Sequence, residues 1–158
     1  MKPYWAILIM IGLSQASHDW SFDTLQPATN LSEARSLDQL LESYHYTHEY
    51  KINVFDCSDM SIICQLFLNN NGYKAITMRN DPDKPIGHMW VAVKEPDGYL
   101  FVETTANEKT ELGQVVWGSD LNDYETGMII DDPLLYNAAM DPTHTMVSYS
   151  TEGNIIEN

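Results

Sequence analysis

The hydrophobic repeat of this chain changes once, from a helical period to a strand period, and this change constrains the fold most strongly. Between residues 37 and 70, apolar side chains recur every three or four positions, which is typical of amphipathic helices. From residue 74 onward, apolar and polar residues alternate, and β-branched and aromatic residues are frequent, as in strands. Helices followed by strands predict an α+β fold in which N-terminal helices pack on an antiparallel β-sheet.

Two helices are predicted in the helical part. The first is expected over residues 37–48, with Ser36 as its N-cap, from apolar residues at helical spacing. The second is expected over residues 57–70, because Asp56 is a favourable N-cap and an Asn-Gly pair follows the last helical residue. Cys57 is therefore predicted to be the first residue of a helix.

Strands are predicted over residues 74–79, 87–94, 99–105, 114–117, 127–130 and 143–149. The turn signal Glu-Pro-Asp-Gly at residues 95–98 predicts a hairpin in which Lys94 pairs with Tyr99. In this register His88 and Glu103 are diagonal neighbours on one face, about 7–8 Å apart along the backbone. A shift by one residue would place them on opposite faces.

The beginning of the chain resembles a secretory signal. Lys2 precedes an apolar stretch over residues 4–13, and small polar residues follow it. This stretch is about half of the roughly 20 residues that a transmembrane helix needs, so no stable membrane span is expected. We interpret residues 1–17 as a signal peptide, which predicts a secreted or cell-surface protein.

The rest of the chain has the length of one domain. Residues 18–36 are interpreted as an N-terminal lead-in, residues 37–150 as the folded domain, and residues 151–158 as a frayed C-terminal tail. The oligomeric state is left open by the sequence.

The charge of the chain is strongly negative. Eight Lys and Arg residues stand against 23 Asp and Glu residues, a formal net charge of −15. Such a surface repels polyanions, so nucleic acid is not expected as a partner. The acidity itself is interpreted as a contribution to solubility.

The two cysteines, Cys57 and Cys64, lie in the same predicted helix, about 10.5 Å apart, which is too far for a disulfide bond. Cys64 is interpreted as a core residue. A thiolate at Cys57 would be favoured by the helix dipole, but by only about 0.3–1 kcal/mol, and the carboxylates of Asp56 and Asp59 oppose it. Cys57 therefore needs a histidinium partner if it is to act as a nucleophile.

One segment resembles a known family. A cysteine that opens a helix ending in Asn-Gly is followed by the motifs GHMWVAV and FVETT. This order is similar to the pattern of the transglutaminase-like superfamily, which has Cys, His-x-Trp-Val-x-Val and Val-Asp-x-Thr. The resemblance covers residues 55–105 and implies a papain-like cysteine fold, in a small secreted member. One position differs, because Glu103 stands where the family usually has Asp.

The resemblance implies that Cys57 is the nucleophile, His88 the general base and acid, and Glu103 the residue that orients His88. It implies a thiol-dependent acyl-transfer enzyme, either a peptide or amide hydrolase or a transglutaminase-like acyltransferase. Its expected substrate is a peptide or protein amide, with no cofactor. The candidates for a second oxyanion donor are Trp20, Tyr44 and Tyr50.

Two alternative functions stay open. Residues 56–58, Asp-Cys-Ser at a helix start, also resemble the NlpC/P60 cell-wall peptidases. A non-catalytic binding module on the same scaffold would contact its partner through Trp117 and Tyr124. No metal site is predicted, because His45 and His48 form a single pair whereas zinc needs three or four ligands.

Overall fold

The computed structural model describes residues 21–81, 83, 86–105, 113–140, 147–149 and 155–157. The predicted signal peptide, residues 1–17, and the first part of the predicted strand 143–149 lie outside the described residues. The helices are α1 (Leu31–Leu41), α2 (Cys57–Asn70), α3 (Pro133–Met140) and a 3-10 helix, η1 (Gly118–Asp123). The strands are β1 (Phe22–Thr24), β2 (Ala75–Arg79), β3 (Met89–Glu95), β4 (Gly98–Glu103), β5 (Gln114–Val115), β6 (Thr126–Ile130), β7 (Val147–Tyr149) and β8 (Ile155–Glu157).

Six strands form one sheet in the order β1-β6-β2-β3-β4-β5, and every neighbouring pair is antiparallel. The predicted α+β class is therefore confirmed. β3 and β4 form the predicted hairpin, with Lys94 opposite Tyr99 and Val91 opposite Val102. This register is the one that places His88 and Glu103 as diagonal neighbours. β7 and β8 form a separate antiparallel pair.

The sheet carries apolar side chains on both faces. Val91 and Val93 of β3 belong to the main core, which includes α1 and α2. Trp90 and Ala92, which alternate with them, belong to a second cluster on the opposite face together with Phe101. The continuous apolar run Met89–Val93, rather than an alternation of apolar and polar residues, therefore reflects a central strand that is buried on both sides.

Helix α2 has the predicted bounds and cap. The Asp56 carboxylate accepts the Ser58 N–H at 3.0 Å, and the Asp59 carboxylate accepts the Asp56 N–H at 3.1 Å, which together form a capping box. Cys64 is fully buried, as predicted, and both cysteines are free thiols. The helix packs on β2 and β3, and its first residue, Cys57, is only partly buried.

The prediction for the first helix is wrong. α1 begins at Leu31 rather than Leu37 and ends at Leu41 rather than His48. Its N-cap is Asn30, whose Oδ1 accepts the Ser32 N–H at 3.1 Å. The buried residues of α1 are Ala34, Leu37 and Leu41. Because the side chain of Ala34 is small, the first turn of the helix shows no clear apolar pattern in the sequence.

Four further elements were not predicted, and one of them is the 3-10 helix η1. β1 lies in the segment interpreted as a lead-in and pairs with β6, and β8 lies in the segment interpreted as a frayed tail and pairs with β7. α3 starts at Pro133, and proline is favourable at the first position of a helix. Strands of three residues are too short to show a period of two.

Within the described part of the chain, no helix combines the length and the apolar character needed to cross a bilayer.

Candidate active site

The three residues predicted to carry chemistry meet at one place. Cys57 opens α2, His88 immediately precedes β3, and Glu103 ends β4. The Nε2 atom of His88 lies 2.7 Å from Oε2 of Glu103, and the thiol of Cys57 lies near enough to influence the pKa of the imidazole. Because Nε2 faces the carboxylate, Nδ1 is the ring nitrogen available to the sulfur. The structure thus brings a thiol, an imidazole and a carboxylate together at one place.

Glu103 is held by four hydrogen bonds, two on each oxygen. Oε1 accepts from the backbone N–H and the hydroxyl of Thr105, both at 2.7 Å. Oε2 accepts from His88 and, at 2.6 Å, from the hydroxyl of Tyr124. Burial raises the pKa of Glu103, but the hydrogen bond and charge of His88 and the bonds from Tyr124 and Thr105 outweigh it and lower the pKa to about 2.

His88 is held as a cation. Burial lowers its pKa, but the hydrogen bonds to Cys57 and Glu103, together with the negative charges of both partners, raise it from 6.5 to about 10. The side chain of His88 is 32% exposed and that of Glu103 is 11% exposed, so the pair faces a solvent-accessible opening. At neutral pH an imidazolium therefore lies between a carboxylate and a sulfur.

The backbone around His88 is fixed by Asn80. Oδ1 of Asn80 accepts the His88 N–H at 2.9 Å, and Nδ2 of Asn80 donates to the carbonyl of Ile86 at 2.9 Å. The Asn80 N–H donates to the His88 carbonyl at 3.0 Å. These three bonds hold the residues before β3 against the end of β2, where the chain is outside the regular ladder.

Two aromatic rings fix the plane of the imidazole. The indole of Trp90 stacks on His88, with 5.9 Å between centroids and 27° between planes, and Tyr124 packs edge-on at 6.1 Å. Trp90 fits because Gly127 lies beneath it: a Cβ at that position would lie 3.0 Å from the indole and 2.7 Å from the Arg79 carbonyl. The side chain of His88 is therefore fixed by packing as well as by hydrogen bonds.

Cys57 is adjacent to the N-cap carboxylate of α2 and packs against a cluster of apolar side chains. Cys57 packs against the buried side chains of Met89, Ile130 and Tyr136. The capping carboxylate of Asp56 accepts the N–H groups of Ser58 and Asp59, so these donors are neutralised before they can favour a thiolate. His88 is therefore the cation that can stabilise a negative sulfur.

The structure separates the three candidates for a second oxyanion donor. Tyr44 packs on Phe67, with 5.1 Å between ring centroids, and Phe67 lies about 15 Å further along α2 than Cys57. Tyr50 lies near the site, because the negative charges of site residues act on it. Burial is the largest cause that raises the pKa of Tyr50, and the charges of Cys57, Asp56 and Glu103 raise it further. Trp20 lies outside the described residues.

Sequence reasoning missed two residues of this site and named a third, Tyr124, only as a contact of the alternative binding module. Thr105 had a local signal, because a hydroxyl two residues after a carboxylate commonly bonds back to it. Asn80 had a weak one, because Asn before a Pro-containing loop commonly bonds nearby backbone groups. Tyr124 is 21 residues from Glu103, and only the fold brings it there.

Two surface depressions lie away from these residues. One, of about 670 Å³, is lined by Lys74 and Lys94, and the other, of about 650 Å³, lies between α2 and Pro133 of α3. None of the three predicted residues lines either depression. Among the described residues, no group of three or more His, Cys, Asp or Glu side chains is placed to hold a metal ion.

Comparison with models of known protein families, with curated proteins and with solved structures gives no match for this chain.

Proposed function

We propose that the protein is an exported thiol-dependent acyl-transfer enzyme in which Cys57 is the nucleophile, His88 the general base and acid, and Glu103 the orienting carboxylate. The observation that carries the proposal is the position of His88, which is bonded to Glu103 through Nε2 at 2.7 Å and lies near the thiol of Cys57. The proposal includes a fold similar to the transglutaminase-like and papain-like cysteine enzymes.

In the first half-reaction the thiolate of Cys57 attacks the carbonyl carbon of an amide, and the π electrons of the carbonyl move to its oxygen. His88 then gives its proton to the leaving nitrogen, the C–N bond breaks, and a thioester forms on Cys57. The Cys57 N–H, at the first position of α2, is the backbone donor nearest to the developing oxyanion.

In the second half-reaction neutral His88 takes a proton from water or from an amine. The activated nucleophile attacks the thioester, and the thiolate leaves. Water gives hydrolysis of a peptide or protein amide, and an amine gives acyl transfer. Glu103 stays ionised throughout the reaction. The hydrogen bond and charge of His88, together with the bonds from Tyr124 and Thr105, hold the pKa of Glu103 at about 2.

The ion pair supports catalysis rather than stability alone because it is partly exposed. The side chain of His88 is 32% exposed and lies near the partly buried thiol of Cys57. Perturbed titratable groups that face solvent in this way are typical of functional sites.

Acyl-enzyme trapping tests the proposal. The protein is mixed with p-nitrophenyl acetate, quenched in acid and analysed by intact mass and peptide mapping. We expect one acetyl group on Cys57, formed about a hundredfold more slowly in His88→Ala, because general acid–base assistance is lost. Cys64→Ala should behave as the wild type, since Cys64 is fully buried.

The opposite result is equally clear. If Cys57 acetylates at the same rate in the wild type, in His88→Ala and in urea, the thiol is not activated. The site would then be a structural ion pair, and the binding-module alternative would be preferred.

A further inference from the structure

We infer that Tyr124 is a positioning residue of this site, which holds the carboxylate of Glu103 in the orientation that faces His88. The inference rests on the proposed function for the role of Glu103. The contact itself is a hydrogen bond of 2.6 Å from the Tyr124 hydroxyl to Oε2 of Glu103. The same oxygen accepts the imidazole at 2.7 Å.

The direction of this hydrogen bond is fixed by chemistry. An ionised carboxylate only accepts hydrogen bonds, and Glu103 is ionised because the hydrogen bond and charge of His88, with the bonds from Tyr124 and Thr105, lower its pKa to about 2. The phenol must therefore donate its proton. The phenol correspondingly loses its proton less readily. Burial raises the pKa of Tyr124 above its ordinary value of 10.0, and the bond to Glu103 raises it further.

Tyr124 completes the set of donors around the carboxylate. A carboxylate offers about four lone-pair positions, two on each oxygen. Thr105 fills both positions on Oε1, whereas His88 and Tyr124 fill those on Oε2. Two donors on each oxygen fix the plane of the carboxylate, and without Tyr124 the plane would be held on Oε2 by the imidazole alone.

The position of the phenol is itself fixed. Its ring packs edge-on against Trp90 at 5.5 Å between centroids and against His88 at 6.1 Å. Its backbone N–H bonds to the carbonyl of Leu121 at 2.9 Å, at the end of η1. The hydroxyl therefore meets Glu103 from a rigid support rather than from a mobile loop, as positioning groups must.

The role also explains how a glutamate can serve at this position. Glutamate has one more rotatable bond than aspartate. Each freely rotating side-chain bond leaves the position of the carboxylate, and so its hydrogen bond to the imidazole, less well defined. Thr105 donates hydrogen bonds to Oε1 and Tyr124 donates one to Oε2, and together these bonds remove the rotational freedom. The longer side chain is thereby fixed as firmly as a shorter one.

Tyr124→Phe tests the inference, because it keeps the ring and removes only the hydroxyl. Tyr99→Phe is the matched control: Tyr99 is also partly buried against the cluster that contains Trp90, but it lies at the far end of β4. The readout is the titration of the Glu103 carboxyl carbon by NMR, which needs no substrate. We expect the midpoint to move from about 2 to about 3 in Tyr124→Phe and to stay in Tyr99→Phe.

A second readout is the rate of Cys57 alkylation by iodoacetamide at neutral pH. We expect roughly a three- to tenfold fall in Tyr124→Phe, because His88 is less firmly held beside the thiolate. A hydroxyl that only stabilised the fold would leave this rate unchanged, although its removal would also shift the carboxyl titration. An unmoved Glu103 titration in a folded Tyr124→Phe would overturn the inference.

A third measurement uses Tyr124 itself and does not depend on the stability of that variant. In Glu103→Gln the phenol loses a charged acceptor, so its NMR titration should fall towards 10.0. Failure of the proposed enzyme function is distinguishable, since it would appear as absent acetylation of Cys57 while the Glu103 and Tyr124 titrations still move.

Discussion

The hydroxyl of Ser61 lies 3.1 Å from the hydroxyl of Thr104, and both side chains are buried. Ser61 is one turn after Cys57 on α2, and Thr104 directly follows Glu103 at the end of β4. This contact therefore ties the helix that carries the sulfur to the strand that carries the carboxylate. It bridges the two elements on either side of His88.

Ser61→Ala should destabilise the protein by roughly 1–3 kcal/mol, because Thr104 would keep a buried hydroxyl without its partner. Urea unfolding measures the change. Ser36→Ala is the control, since Ser36 is exposed on α1 and its removal should cost less than about 0.5 kcal/mol. Equal effects of the two substitutions would contradict the role assigned to the buried pair.

The pH dependence of stability follows from His88 and Glu103. The pKa of His88 is raised from 6.5 to about 10 by Cys57 and Glu103 against the effect of burial, so its contribution is complete below pH 6.5 and is lost as pH rises towards 10. The pKa of Glu103 is lowered from 4.5 to about 2 by its partners against burial, so its contribution is complete above pH 4.5 and is lost as pH falls towards 2.

Free energies of unfolding measured across these ranges test this expectation. In His88→Ala the decline between pH 6.5 and 10 should become shallower than in the wild type. His45→Ala is the matched control, because His45 is an exposed histidine outside the site. A His45→Ala curve as shallow as that of His88→Ala would show that the decline has another origin.

The strand part of the site could be predicted because its pattern is local. The turn at residues 95–98 determines the register, and the register places His88 and Glu103 together. Asp56 and the Asn-Gly pair likewise determine the bounds of α2, since caps act within a few residues. α1 could not be bounded in this way, because its cap, Asn30, precedes an exposed Leu31 and the small Ala34 rather than a clear apolar stripe.

Asn80 should matter for His88 and not only for stability. Asn69 offers a matched control, because its side chain also donates to and accepts from the backbone, at Ala75 on the opposite end of β2. Both Asn80→Ala and Asn69→Ala should lower stability. Only Asn80→Ala should lower the pKa of His88 measured by NMR, because it releases the two side-chain bonds that hold residues 86–88. The same His88 titration in both variants would contradict this.

The two cysteines should differ sharply towards iodoacetamide. Cys57 is partly exposed beside an imidazolium, whereas Cys64 is fully buried and burial raises the pKa of its thiol. At pH 7 we expect alkylation of Cys57 only, and of Cys64 only after unfolding. Peptide mapping by mass spectrometry distinguishes the two. Modification of Cys64 in the folded protein would mean that α2 opens more readily than its packing implies.

Shortening the carboxylate is the sharpest test of the site. Glu103→Asp retains the charge, but one methylene fewer cannot keep both the Thr105 bonds on Oε1 and the His88 and Tyr124 bonds on Oε2. We expect the pKa of His88 to fall below about 10 and the acetylation of Cys57 to slow by roughly tenfold, with Glu103→Gln slower still because it also loses the charge. Full activity of Glu103→Asp would mean that the surroundings of residue 103 adapt to an aspartate, and that Tyr124 and Thr105 do not fix the length of the side chain.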